Sequence, residues 1–118
     1  MALACSLGSI SFSALADEFP EGVKTPSAAE LNGLMKGKTF NVKLPEGLGW
    51  KLDYRDNGYF YVNVSNGFNG SGRWSVEDGK MCSNVKTDPT VCNDMRIDGT
   101  RLLLKRSNGT IVHLEPAI

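Results

Sequence analysis

Apolar and polar residues alternate along most of the chain after Thr39. Phe40, Val42 and Leu44 form one such run, and similar runs follow up to the C-terminal region. A period of two places the apolar side chains on one face of a β-strand. The runs predict about eight strands, at 39–44, 49–54, 59–65, 71–76, 80–84, 91–97, 100–105 and 110–115.

Turn signals separate these runs. They are the dipeptides Asn57-Gly58, Asn66-Gly67, Asn69-Gly70, Asp78-Gly79, Asp98-Gly99 and Asn108-Gly109. Such residues tolerate the positive φ angles of tight hairpin turns. The sequence therefore predicts a mainly β fold, an antiparallel meander that closes into a small barrel or sandwich. Closure into a barrel would remove the exposed edges of a flat sheet.

One short helix is predicted before the first strand, over residues 27–36. Ser27 and Glu30 have the spacing of a capping box. An apolar stripe follows at helical spacing, and it consists of Leu31, Leu34 and Met35. A helix of this length is unstable alone in water, so the stripe must pack against the β domain.

The first 16 residues are uncharged, small or apolar, and they end in Ala14-Leu15-Ala16 directly before Asp17. This pattern is typical of a secretory signal peptide cleaved after Ala16. The alternative is a buried N-terminal helix, which the serines and the glycine of this segment disfavour. Residues 17–26 are predicted to be a flexible arm, and residues 27–118 a single β domain.

Composition and charge narrow the classes of partner. The chain has 118 residues, 41% hydrophobic and 22% charged, as in an ordinary globular domain. Its 13 basic and 13 acidic residues balance, which argues against partners such as nucleic acid or anionic lipid. The apolar leader is too short to span a bilayer. We expect a monomer with no membrane span.

The cysteines predict a disulfide. If Cys5 leaves with the leader, Cys82 and Cys92 remain, and an even pair in a small exported domain favours a bridge. A metal pair would need further ligands, for which Asp88, Asp94 and His113 are a poor set. A nucleophilic cysteine would need a base, and His113 is the single histidine.

Catalytic, metal and cofactor sites are not predicted. His113 has no Gly-x-Ser-x-Gly motif or similar nucleophile in the sequence to act with. An enzyme is therefore the least favoured class.

A candidate binding surface lies on the third predicted strand. If Phe60 and Val62 face the core, Tyr59, Tyr61 and Asn63 face outward. Exposed tyrosines on a sheet can form a contact surface for a partner. Alternatively, they pack across neighbouring strands and stabilise the hairpin.

Three segments together resemble a known group of proteins. They are Ala29-Glu30-Leu31 to Gly37-Lys38-Thr39, the block Gly72-Arg73-Trp74-Ser75-Val76-Glu77-Asp78-Gly79-Lys80-Met81-Cys82, and Cys92. Over about residues 27–115 the chain is similar to small exported proteobacterial proteins grouped as a domain of unknown function, with a lipocalin-like or sandwich β fold. The resemblance implies a periplasmic location and a Cys82–Cys92 bridge, and it supplies no catalytic residues.

The functional expectation is a non-catalytic exported domain that binds a protein or a small ligand, either in the mouth of a barrel or on the face that carries Tyr59 and Tyr61. The alternative is an inhibitor of an exported hydrolase or protease, in which the arm Asp17–Lys24 enters the enzyme's cleft.

Overall fold

Eight antiparallel strands form a closed barrel, in which each strand pairs with the next and the last pairs with the first. The computed structural model describes residues 17–117, so the predicted leader lies outside the described residues. Helix α1 (Ala28–Met35) precedes β1 (Lys38–Lys43), β2 (Gly49–Tyr54), β3 (Tyr59–Val64), β4 (Asn69–Glu77), β5 (Lys80–Ser83), β6 (Val91–Asp98), β7 (Arg101–Lys105) and β8 (Ile111–Pro116). The predicted fold class is confirmed, and of the two predicted architectures the chain adopts the barrel.

Helix α1 closes one end of the barrel. The predicted capping box is present: Glu30 N donates to Ser27 Oγ, and Ser27 N donates to the Glu30 carboxylate, each at 3.1 Å. The helix contacts β1 and β4, which are not neighbours in the barrel, so it crosses the end. Leu31 and Met35 are fully buried there, whereas Leu34, the third residue of the predicted stripe, is 43% exposed.

The hydrophobic core lies inside the barrel, because alternate residues of each strand point inward. The buried core residues are Leu31, Met35, Phe40, Val42, Leu44, Leu52, Tyr54, Phe60, Val62, Met81, Met95, Leu102, Leu104, Val112 and Leu114. An eight-stranded barrel is just wide enough for side chains to fill it or for one small ligand to enter.

The N-terminal segment 17–26 lies along the outside of the barrel. Asp17 N donates to Gly109 O at 3.0 Å, and Lys24 exchanges two backbone hydrogen bonds with Ile97, at 2.8 and 2.9 Å. Between these points the ring of Phe19 lies 5.0 Å from the guanidinium carbon of Arg96. In the structure the predicted arm therefore follows strands β6 to β8.

The arm explains an unusual run in β7, where three successive leucines are buried. Leu102 and Leu104 point into the core, so Leu103 points outward, yet it is only 2% exposed. Leu103 borders the same crevice as Asp17 and Pro20 of the arm. The arm therefore shields a leucine that would otherwise face water.

The predicted disulfide is present. Cys82 and Cys92 are bonded, and they face each other across β5 and β6. Their sulfurs lie near the Glu77 carboxylate, but sulfur atoms in a disulfide are not thiolates and do not act as metal ligands or nucleophiles. Such a bond is compatible with an exported protein. Within residues 17–117, no helix is long and apolar enough to cross a membrane.

Replacing Cys82 and Cys92 together by serine should lower the free energy of unfolding by about 2–4 kcal/mol, because the unfolded chain is no longer constrained by the loop. The barrel should persist, since the two strands remain paired by backbone hydrogen bonds. Urea unfolding with and without reductant measures both effects, and reductant should not affect the variant. A loss below about 0.5 kcal/mol would contradict this account.

Candidate functional site

A cavity of about 720 Å³ opens at one end of the barrel. Its wall consists of inward-facing residues of β2 and β3, with further residues from β5, β6, β7 and three loops. The lining includes Trp50, Leu52, Tyr54, Phe60, Val62, Val64, Phe68, Met81, Val85, Val91 and Leu104. The loops belong to the end opposite α1, so the cavity opens there. Its volume lies within the range of small-molecule sites, about 300–1,000 Å³.

Strand β2 shows how deep the cavity is. Trp50 lies near the open end, Leu52 follows, and Tyr54 ends the strand. Gly37, just after α1, donates its N–H to Tyr54 O at 2.7 Å, which places Tyr54 at the closed end. Since a strand rises about 3.3 Å per residue, the wall from Trp50 to Tyr54 is about 13 Å long. Tyr54 therefore belongs to the floor of the cavity.

The floor is an aromatic cluster around Tyr54. The Tyr54 ring stacks on Phe60 with centroids 5.1 Å apart, and it meets Trp74 edge-on at 5.3 Å and Phe40 at 6.0 Å. Trp74 Nε1 donates to Arg55 O at 2.9 Å, so the indole is satisfied. The Tyr54 hydroxyl is buried and has no hydrogen-bond partner among residues 17–117. Burial also raises the pKa of Tyr54 well above its ordinary value, so the phenol is neutral.

An ion pair stands at the mouth of the cavity. The Arg106 guanidinium donates two hydrogen bonds to the Glu46 carboxylate, at 3.0 and 3.2 Å, and lies 5.1 Å from the Trp50 ring centre. These contacts link the β7–β8 loop to the β1–β2 loop. The hydrogen bonds from Arg106 also hold the pKa of Glu46 below its ordinary value. The charge of Arg106 is therefore already balanced by a protein group.

The loop between β5 and β6, residues 84–90, forms one side of the mouth. The loop runs beside β4 and is hydrogen-bonded to it. Arg73 N donates to Asn84 Oδ1 at 2.9 Å, and Lys86 N donates to Ser71 O at 2.7 Å. Gly72 makes this approach possible, because a Cβ at that position would lie 1.8 Å from Asn84 O. The disulfide joins the two strands from which this loop emerges. The mouth is thus shaped by close backbone packing.

The candidate surface predicted from the sequence lies elsewhere. Tyr59 and Tyr61 point outward from β3 and are 43% and 40% exposed, and Asn63 is exposed beside them. The guanidinium carbon of Arg73 lies 4.8 Å from the Tyr59 ring centre, and that of Arg55 lies 5.1 Å from the Tyr61 ring centre. The structure therefore brings these three residues together on the outer wall, away from the cavity. We call Tyr59, Tyr61 and Asn63 the tyrosine face.

His113 is on the outer surface of β8. It is half-buried, and its Nδ1 lies 3.7 Å from the Glu115 carboxylate. In the register of the sheet it is opposite Leu103, beside the crevice that the N-terminal arm covers. It therefore lies outside the cavity wall.

Sequence reasoning named the mouth of a barrel as one possible ligand site, but it missed the residues that line the cavity and its two polar features, the Tyr54 hydroxyl and the Arg106–Glu46 pair. A signal for the first was present, because the alternation Trp50, Leu52, Tyr54 places a tyrosine at an inward position. The second has no local signal, since its partners are 60 residues apart in the chain.

Comparison with known protein families, curated proteins and solved structures finds no match to this chain. The resemblance to small exported proteobacterial proteins therefore stays a prediction.

Replacing Gly72 by alanine should lower the free energy of unfolding by about 1–3 kcal/mol, because the new methyl group collides with the backbone of Asn84. Gly33→Ala is the matched control: it lies in α1 with no atom within 4 Å of a Cβ, so the variant should be more stable by about 0.5–1 kcal/mol. Urea unfolding measures both, and hydrogen exchange should show faster exchange in loop 84–90 for Gly72→Ala. Equal stability of the two variants would contradict the proposed contact.

Proposed function

We propose that this protein is a non-catalytic binding domain whose barrel holds one small, mostly apolar molecule. The observation that carries the proposal is the cavity of about 720 Å³, open at one end and lined largely by apolar side chains. Closed eight-stranded barrels have room for one small ligand, and binding sites of this size are commonly apolar with a few polar groups.

The charges around the cavity favour an uncharged ligand. Arg106 and Asp88 are the charged residues of the wall, and both belong to the loops at the mouth. Arg106 is paired with Glu46, so it offers no free charge to an anion. A charged group placed deeper would be surrounded by apolar side chains, which is costly without a counter-ion. Burial of apolar surface is then the main driving force, at about 2.5 kcal/mol per 100 Å² before the cost of association.

The proposal includes export. Residues 1–16 act as a signal peptide cleaved after Ala16, and the mature, monomeric protein works in the periplasm. The Cys82–Cys92 disulfide supports this location, because such bonds persist in oxidising compartments. The lipocalin-like architecture implied by the resemblance agrees with a barrel that binds a ligand inside.

Fluorescence of N-phenyl-1-naphthylamine, an uncharged dye that brightens in apolar surroundings, tests the cavity. Val64 lines the cavity, so Val64→Trp should fill part of it and weaken dye binding at least about tenfold. Asn41→Trp is the control, because it adds the same side chain to an exposed outer position of β1, outside the cavity and the tyrosine face. Native protein and the control should bind the dye alike.

Melting curves and circular dichroism must show that both variants are folded. No dye binding by the native protein would refute the proposal. Equal binding by the two folded tryptophan variants would place the dye outside the cavity and would also refute it.

The tyrosine face supports a second candidate function, the binding of a protein. Tyrosine and arginine are enriched among the residues that dominate interface energies, and here Tyr59 and Tyr61 are exposed with an arginine stacked on each. The same contacts also serve a purely structural role, since exposed cation–π pairs contribute about 0.5–1 kcal/mol each.

The inhibitor alternative receives less support. It needs an arm that is free to enter an enzyme's cleft. Here Asp17 and Lys24 are hydrogen-bonded to the barrel, and Phe19 packs on Arg96. These contacts would have to break before the arm could reach a protease.

The double variant Tyr59→Ala/Tyr61→Ala separates the two roles of the tyrosine face. If it is an interface, capture of a partner from periplasmic extract should fall at least about fivefold, and the melting temperature should change little. Asn41→Ala/Lys43→Ala, at exposed positions of β1, is the control for capture. Quantitative mass spectrometry compares the captured proteins. A clear drop in melting temperature with unchanged capture would assign the tyrosines to the scaffold.

A further inference from the structure

Apolar side chains that face water border the mouth of the cavity. Phe68, in the β3–β4 loop, is 45% exposed, and Val91, at the start of β6, is 46% exposed. They are the two most exposed large hydrophobic residues within 17–117, and both line the cavity. Val85 lies beside Phe68, because a Cβ on Gly70 would lie 2.6 Å from Val85 Cγ1 and 3.1 Å from Phe68 Cε2. We call Phe68, Val85 and Val91 the apolar rim.

The position of the apolar rim distinguishes it from ordinary surface residues. Single exposed hydrophobic side chains are common in folded proteins and need no explanation. Here they meet around an opening whose own wall is largely apolar, so the rim and the cavity form one continuous surface. A continuous exposed apolar surface marks a contact with a ligand, a partner or a membrane.

We propose that the apolar rim attaches the protein reversibly to a neutral lipid surface, with the mouth of the cavity against the membrane. The inference rests on the proposed function, because the same mouth admits the ligand. An uncharged, mostly apolar molecule concentrates in lipid rather than in water. A mouth held against the bilayer receives that molecule without its passage through water.

The charges around the mouth are balanced, which favours zwitterionic over anionic lipid. Lys86 Nζ lies 5.4 Å from the Phe68 ring centre, and Asp88 belongs to the same loop. On another side of the mouth, Arg106 is paired with Glu46. Attraction to anionic headgroups needs a cluster of unpaired basic residues, which this arrangement does not supply. The apolar side chains therefore provide the attraction.

The small size of the rim favours lipid over a protein partner or a second copy of this chain. A stable protein interface takes about 800 Å² from each partner, which corresponds to about 20–30 residues. The rim has three apolar side chains, of which Val85 is half-buried. Attachment to a bilayer has no such minimum, since its strength scales with the apolar area that is inserted.

Flotation with phosphatidylcholine vesicles tests the rim without any ligand. Phe68→Ser/Val91→Ser should lower the partition coefficient onto the vesicles at least about tenfold, because two exposed apolar side chains are lost. Leu34→Ser/Tyr59→Ser is the matched control. It also removes one aliphatic and one aromatic side chain, each 43% exposed, but from α1 and the outer wall. The control should bind as the native protein does, and melting curves show that all three proteins are folded.

Several results of the flotation experiment would overturn the inference. One is the absence of vesicle binding by the native protein, and another is equal binding by the folded Phe68→Ser/Val91→Ser variant. A third is binding that requires phosphatidylglycerol and is lost at about 0.5 M NaCl, since charge would then be the cause. A native dimer in gel filtration that the rim variant does not form would assign the rim to a second copy instead.

Fluorescence quenching by brominated phosphatidylcholine tests which end of the barrel faces the lipid. Phe68→Trp keeps an aromatic ring on the rim, and Leu34→Trp adds the same group to α1 at the opposite end. The emission of Phe68→Trp should be quenched more strongly than that of Leu34→Trp. Equal quenching would show that another surface meets the vesicle and would contradict the inference.

The outcomes distinguish this inference from the proposed function, because vesicle binding is measured without dye and dye binding without vesicles. If the native protein binds the dye but not the vesicles, the inference is wrong and the cavity remains a ligand site. If it binds the vesicles through the rim but not the dye, the proposed function fails and the rim remains a lipid contact.

Discussion

Closure of the sheet is the constraint on which the rest of the structure depends. Strands β1 and β8 meet through Phe40 opposite Pro116, and Ala117 N donates to Thr39 O at 2.9 Å. This contact joins opposite ends of the chain and leaves the sheet without an exposed edge. Closure of the sheet also creates an enclosed interior, and the number of strands sets its width. Helix α1 covers one end with Leu31 and Met35, and the cavity opens at the other end.

The mouth of that space is fixed by backbone contacts more than by side-chain packing. Loop 84–90 approaches β4 at Gly72 so closely that a methyl group would not fit, and Lys86 in this loop has a positive φ of 57°. A non-glycine residue in that conformation is sustained by its surroundings, here by the hydrogen bond from Lys86 N to Ser71 O. The disulfide adds a covalent link where the two strands of this hairpin leave the loop.

The sequence was sufficient for the features that depend on local periodicity. Alternation predicted all eight strands to within two residues of their ends, but the turn predicted at Asn69-Gly70 is wrong, because both residues belong to β4 and pair with β3. The capping box predicted the helix, and the outward direction of Tyr59 and Tyr61 followed from the position of Phe60. Closure was beyond such reasoning, because a meander of the same strands can form a sandwich or a barrel. Only the pairing of β1 with β8 decides between them, and local pattern carries no information about it.

The mouth of a barrel was expected as a possible ligand site, but the residues that line the cavity were not identified, for the same reason. Alternation placed Trp50, Leu52 and Tyr54 on one face, but the unbonded state of the Tyr54 hydroxyl depends on residues from other strands. The burial of Leu103 likewise depends on the arm, which the sequence described only as polar and rich in turn residues. These features arise from contacts between residues that are far apart in the chain, so the pattern within one strand does not predict them.

The two polar features of the cavity lie at opposite ends, and neither is free to bind an entering group. At the mouth, Arg106 is balanced by Glu46 and stacked on Trp50, so an entering oxygen gains little there unless it displaces Glu46. At the floor, the Tyr54 hydroxyl is enclosed by side chains and shielded from solvent. Neither group offers a free hydrogen bond at the surface of the cavity. The geometry therefore favours burial of hydrocarbon over polar recognition.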